Sequence, residues 1–296
     1  MRRTPNWVAQ HLAALRVVLV LTVLVGLVYP LGMTAVALVP GLRHQAAGSL
    51  VKADGRVVGS SLIGQEFTDA KGDPLIQYFQ PRPSNAGSGY DPTASGAGNL
   101  GPESVVDTLP TPGQPDSGKL ALLSQVCARS LAVGKLEHVS GARPYCTADG
   151  IGAVLGVYRA DGLTGKVTRV VSLNQACPAT PFLSSYQGVA VNCAEPGADY
   201  SAALVVPVRG DAPAQPAVPA DAVTASGSGL DPQISPAYAR LQAPRVAAAR
   251  RVSLADVLRL VARYTTGRAL GTLGEPGVNV LELNLALDRS YPAKEA

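Results

Sequence analysis

The chain has 296 residues, long enough for one large domain or two ordinary ones with a buried core. Its 25 basic and 21 acidic side chains leave a net charge of only +4, which excludes the concentrated basic face of a nucleic-acid-binding protein, so no nucleic-acid partner is expected. The three histidines, His11, His44 and His138, lie far apart, which disfavours a metal centre or a His-based catalytic pair. Together, 31 glycines and 24 prolines point to short elements joined by many turns.

The first element is an anchor. Val17–Val39 holds no charged residue and is built from Val, Leu, Ala, Gly and Met. As a helix this run spans about 35 Å, enough for the hydrocarbon core of a bilayer. Residues 17–39 are therefore predicted as a transmembrane helix and residues 1–16 as a cytoplasmic N-terminus. The short N-terminal side carries Arg2, Arg3 and Arg16 and no acid, and the positive-inside rule keeps such an end in the cytoplasm. Ala35-Val36-Ala37 fits a leader-cleavage pattern, but the apolar run is longer than a leader core and contains Pro30 and Gly32. A retained single-pass anchor in the cell membrane, with the bulk of the chain extracytoplasmic, is the expectation.

Beyond the anchor, Ser49–Val51 and Val57–Gly59 read as a short hairpin. Pro81–Gly101 consists mostly of turn formers, with Tyr90 available to tie it down. Two proline-rich stretches, Gly101–Gly118 and Pro207–Pro219, read as semi-rigid solvated linkers. They delimit an inserted module at 102–219 between two parts of a host domain, 40–101 and 220–296. Within the module, Lys119–Glu137 reads as a helix, and Ala153–Tyr158 and Val167–Leu173 as strands. The module also holds all four cysteines, Cys127, Cys146, Cys177 and Cys193, an even number suited to two structural disulfides in an exported segment. Four cysteines allow three pairings; the sequential one closes the shortest loops, but spacing does not choose among them. The host core is expected to close without the module, so that joining Pro102 to Ala220 leaves it intact.

In the second host part, Ser235 and Pro236 read as an N-cap and first-turn proline, and Pro244 as the start of a separate short helix to Arg250. Ser253 with Asp256 has a capping-box pattern ahead of an apolar face through Leu254, Val257, Leu258, Val261 and Tyr264. Seven arginines between Ala237 and Arg268, set against Asp256 alone, read as a solvated face with the core behind it. Leu281, Leu283, Leu285 and Leu287 alternate with their neighbours and read as a strand. Helices and strands thus mix without a βαβ rhythm. The class is α+β: one N-terminal transmembrane helix, then an extracytoplasmic mixed domain carrying a disulfide-stapled insert.

No G-x-S-x-G elbow occurs, and the loop Val223–Pro232 is not followed by the G-K-[ST] of a P-loop. No catalytic or metal-binding residue is therefore assigned, and the protein is not expected to be an enzyme. Two loops of turn formers, Asn99, Leu100 and Gly101, and Ser226, Gly227, Ser228, Gly229 and Asp231, expose backbone groups and leave little side chain for a pocket. These are the candidate partner-contact residues.

The wording of the loops carries a resemblance. Tyr29-Pro30-Leu31, Gly59-Ser60-Ser61-Leu62-Ile63-Gly64-Gln65-Glu66-Phe67, Tyr78-Phe79-Gln80-Pro81-Arg82-Pro83-Ser84 and Ser95–Pro102 come first. Val223–Pro232, Pro244-Arg245-Val246-Ala247 and Gly271–Asp288 follow, in one consistent order. The chain resembles the C subunit of the Kdp-type high-affinity potassium-transporting ATPase (KdpC). The large insert, which typical members lack, and Gln233 and Gly277 depart from the family pattern. The resemblance implies an accessory, non-catalytic subunit that binds a channel-like potassium subunit and a P-type ATPase subunit. It implies no cofactor of its own, ATP and potassium being handled by the complex. The family is described as a catalytic chaperone that raises the ATPase subunit's affinity for ATP. The rivals from other classes are an anchored or secreted extracytoplasmic ligand-binding protein and a membrane-anchored hydrolase using a loop serine.

Overall fold

From Asn6 to Ala37 the backbone is helical: α1 (Asn6–Val23), a π-helical turn (Leu24–Val28) and α2 (Tyr29–Ala37). The run has a mean hydropathy of 2.5 over its most apolar window, and none of that window is buried. Its length and composition suffice to cross a membrane. Pro30 explains the wide turn before it. Proline has no N–H for the carbonyl of Gly26 and its ring crowds that oxygen, so an extra residue in the preceding turn relieves the clash.

The computed structural model describes residues 5–96, 103–111 and 113–293. The chain forms two compact units, 1–62 and 63–296. In the first unit, α3 (Arg43–Ala46) precedes an antiparallel hairpin of β1 (Leu50–Ala53) and β2 (Arg56–Ser60), with Ala53 opposite Arg56. Asp54 (φ +48°) and Gly55 (φ +78°) make the two-residue turn, a conformation that the right-handed twist of a hairpin favours. The hairpin is thus tighter than the five-residue connection expected from the sequence.

The second unit combines helices with two sheets. α4 (Leu122–Leu136) is followed by β3 (Val154–Asp161), β4 (Thr164–Ala176), β5 (Ser185–Tyr186), β6 (Val189–Ala194) and β7 (Leu204–Pro207). These strands form one sheet in the order β5-β6-β4-β3-β7, antiparallel except for the β4–β6 pair. Side chains alternate across a strand: Leu155, Val157 and Val170 pack one face, and Val154, Val171 and Leu173 the other. Then come β8 (Gln233–Ile234), α5 (Pro236–Arg250), α6 (Leu254–Arg263), β9 (Thr265–Thr266), β10 (Gly277–Asn279) and α7 (Val280–Ser290). β10 lies between β8 and β9 in a small antiparallel sheet.

The largest core gathers α5, α6 and α7 around Phe79, Ile234, Val246, Val257, Val278 and Leu283. Val126 and Val133 of α4 and Val139 pack against it, and Val218 is buried within it. The helix of the proposed insert and the end of its second linker therefore pack into the same core as the host segments. Val218 also departs from the solvated linker expected at 207–219, because its carbonyl accepts a 2.5 Å hydrogen bond from Arg143 while its side chain is desolvated.

Two elements differ from the sequence expectation. Pro244 does not begin a helix but sits inside α5, on its exposed side. Tyr238, Ala239 and Ala243 are buried before it and Val246 and Ala247 after it, and this packing outweighs the hydrogen bond that proline removes. Leu281–Leu287 is helical, not extended. Val280, Leu283, Asn284 and Leu287 repeat at the spacing of one helical face, and Asn279 caps the helix by accepting from the Glu282 N–H at 3.1 Å. Ser235 and Ser253 cap α5 and α6 as their sequence contexts predict, accepting from the Tyr238 and Asp256 N–H groups.

Candidate partner-contact site

The segment Gln77–Pro83 is the root of the site, and it is held by side chains where a sheet would use a neighbouring strand. Asn284 on α7 accepts from the Phe79 N–H at 2.9 Å and donates to the Phe79 carbonyl at 3.0 Å. Gln242 on α5 does the same for Gln80, at 2.6 and 3.0 Å. Both amides are buried, so each backbone group finds its partner away from water. Arg250 adds a bond to the Gln77 carbonyl at 2.8 Å, an ion pair to Asp288 at 2.8 Å and a stack over the Tyr78 ring at 5.0 Å. Tyr78 in turn donates to Asp288, and burial, the first of several causes, pushes its phenol pKa up.

Arg245 closes the other side. Its guanidinium meets both carboxylate oxygens of Glu137 at 3.0 and 3.1 Å and donates to the carbonyls of Ile76 and Tyr78. The Glu137 side chain is fully buried. Burial pushes its carboxyl pKa up, and the Arg245 charge opposes that shift. Arg245 and Arg250 thus face the core, which corrects the reading of all seven arginines as a solvated face. Arg240, Arg251, Arg259, Arg263 and Arg268 are exposed; Arg259 pairs with Asp256 and Arg268 with Glu275.

From this root, the turn-rich loop folds onto the loop at 224–231. Arg82 pairs with Asp231 at 2.9 Å and also donates to the carbonyls of Thr224 and Ala225. The Ser84 hydroxyl donates to the Gly229 carbonyl at 2.6 Å and accepts from the Tyr90 N–H; the Ser95 hydroxyl donates to the Ser228 carbonyl at 2.9 Å. Tyr90 is buried, with its hydroxyl on the Arg82 carbonyl at 2.7 Å, so it does tie the loop down. Gly229 is required: its φ is +70°, and a Cβ there would come within 2.9 Å of the Ala86 nitrogen.

Of the candidate contact residues, Ser228, Gly229 and Asp231 bond across this junction, while Ser226 stays within its own loop, near the Ser228 hydroxyl, and Gly227 lies between them in the chain. Asn99, Leu100 and Gly101 lie outside the described residues. The cysteines pair in sequence order, Cys127 with Cys146 and Cys177 with Cys193. Gln242, Asn284, Glu137 and Arg245 escaped the sequence reading. A polar Asn284 between Leu283 and Leu287 on a buried helical face was the available signal, hidden once the segment was read as a strand.

The sequence profile of a family described as "KdpC: K+-transporting ATPase, c chain" matches residues 11–107 and 198–289. Relatives named "Potassium-transporting ATPase KdpC subunit" include one from Kineococcus radiotolerans, 40% identical over 288 residues that cover 97% of each chain. One from Mycobacterium bovis is 37% identical over 280 residues, covering 95% of this chain and 98% of its own. One from Rhodospirillum rubrum is 36% identical over 272 residues, covering 92% and 91%. These alignments cover nearly all of both chains, so the relatives are similarly long, while the profile passes over 108–197. On the apolar helix, the interlocked loops and both kinds of match, the chain belongs to the KdpC family, the c chain of K+-transporting ATPases.

Proposed function

We propose that this protein is a non-catalytic subunit of an ATP-driven potassium uptake complex, anchored by residues 17–39 with residues 1–16 in the cytoplasm and the second unit outside. It binds the P-type ATPase subunit and the channel-like subunit, braces them from outside, and leaves ATP and potassium to them. The observation that carries this reading is the junction of the two family-matched loops. Arg82 pairs with the Asp231 carboxylate, and the Ser84 and Ser95 hydroxyls take up the Gly229 and Ser228 carbonyls, so the two loops are locked to each other and preorganised for docking. The arginine bias at the N-terminus supports the orientation.

The test is co-purification of the full chain with its partner subunits, alongside ATP binding measured separately. Asp231→Asn and Gly229→Val are expected to weaken assembly and potassium-stimulated turnover without removing a nucleotide-binding step. Specific ATP binding by the isolated full chain that disappears in these variants would favour the chaperone account over bracing. Intact-mass measurement on membrane-derived protein checks the anchor, and loss of the residues up to Ala37 would refute it.

A further inference from the structure

Between Gln80–Pro83 and α4 lies a groove of about 700 Å³. Its walls are apolar: Pro81, Pro83, Ala132, Val133, Leu136 and Ala222. Ala132, Val133 and Leu136 fall in the stretch that the family profile passes over, so this segment and the common scaffold build the groove together.

The charges around it do not balance. Arg82 is taken up by Asp231, but Arg129 and Lys135 are not so neutralised. Half-buried Arg129 donates only to uncharged oxygens, the Val223 carbonyl at 3.2 Å and the Asn85 and Gln125 side chains at 3.4 Å. Exposed Glu66 is the one acid lining the groove among the described residues. Tyr238 also lines it. It is 2% exposed.

We propose that this groove binds a long-chain fatty acid, its carboxylate on Arg129 and Lys135 and its alkyl chain along the wall of Pro81, Pro83, Ala132 and Leu136. A neutral apolar molecule would leave the cations unanswered, and a polyanion would find too little polar surface among these walls. A single anionic head on an apolar tail satisfies both. This inference goes beyond the assembly role, since the groove takes part of its wall from a segment outside the family profile.

The experiment uses the full chain in nanodiscs with a diazirine-bearing palmitate, irradiated and mapped by peptide mass spectrometry. Labels are expected on Pro81–Pro83 and Ala132–Leu136, competed by palmitate and not by its methyl ester. Arg129→Gln should lower labelling about tenfold, the scale of one charge-assisted hydrogen bond, and Arg129→Lys should restore part of it. Ala132→Trp should block the groove from an exposed position, with the two disulfides serving as the control for folding. Labels confined to Asn6–Ala37, equal competition by the methyl ester, or full labelling of Ala132→Trp would each overturn the proposal. So would a groove shielded from the probe by a partner subunit's peptide in the assembled complex.

Discussion

The side-chain amide of Gln233 on β8 stands where a Cβ on Gly277 of β10 would have to go, with its Cδ 2.9 Å from that position. These two residues, the expected departures from the family pattern outside the insert, meet in space. Gly277 is buried and its φ is not left-handed, so a side chain there would have to displace the Gln233 amide. Gly277→Ala is expected to lower unfolding stability by about 1–3 kcal/mol through overpacking. Adding Gln233→Ala should recover about 1 kcal/mol or more of that loss. Urea unfolding of the two single variants and the double variant measures the coupling, and strict additivity would refute it.

Because Val126 and Val133 of α4 pack against the core and Val218 is buried in it, removing residues 103–219 and joining Pro102 to Ala220 should impair folding as well as assembly. A milder probe is Glu137→Leu, which leaves the Arg245 guanidinium without its buried carboxylate. A loss of about 3–5 kcal/mol is expected from an uncompensated buried charge. Pairing the change with Arg245→Met should return most of it. A folded deletion variant that still captures its partners would show that α4 is dispensable.

Asn284→Leu keeps the shape of the side chain but strands the N–H and the carbonyl of Phe79. Each unsatisfied buried group costs about 1–3 kcal/mol, so at least ~2 kcal/mol should be lost. Differential scanning calorimetry should record a Tm lower by roughly 4–8 °C for a unit of this size. An unchanged Tm would mean that water replaces the amide.

Burial pushes the Asp107 carboxyl pKa up, while hydrogen bonds from the Ser124 hydroxyl and the Ala121 N–H pull it down less strongly. The folded chain therefore holds this proton more tightly than the unfolded chain does. The stabilisation is complete below the ordinary carboxylate pKa and is lost as pH rises through the raised folded value. Asp107→Asn should flatten that decline without erasing it, because Glu137 is shifted in the same direction. Parallel denaturation curves across the acidic range test this, and identical slopes for the two proteins would refute it.

Local signals carried the sequence reading a long way. The uncharged run after Arg16, the Ser235 and Ser253 caps and the two disulfides all appear where composition and spacing put them. What was hidden depends on partners distant in sequence. Alternation over Leu281–Leu287 fits a strand and a helix equally well, and only the cap at Asn279 and the core around Leu283 decide between them. Arg245 and Arg250 look like any exposed helical arginine until Gln77, Tyr78 and Glu137 arrive from elsewhere in the chain. Half of the loop junction was legible for the same reason: Gly229 and Asp231 announce a turn, but nothing in their neighbourhood names Arg82 as the residue that locks it.

The wide turn at Leu24–Val28 has a consequence for the membrane. One extra residue in a helical turn slips the angular phase by about 100°. A stripe of side chains running along α1 does not continue along α2 but resumes on a different flank. Helices packed against this anchor in the bilayer therefore meet two distinct faces, one on each side of the turn, so a single anchor offers two separate seams to its neighbours.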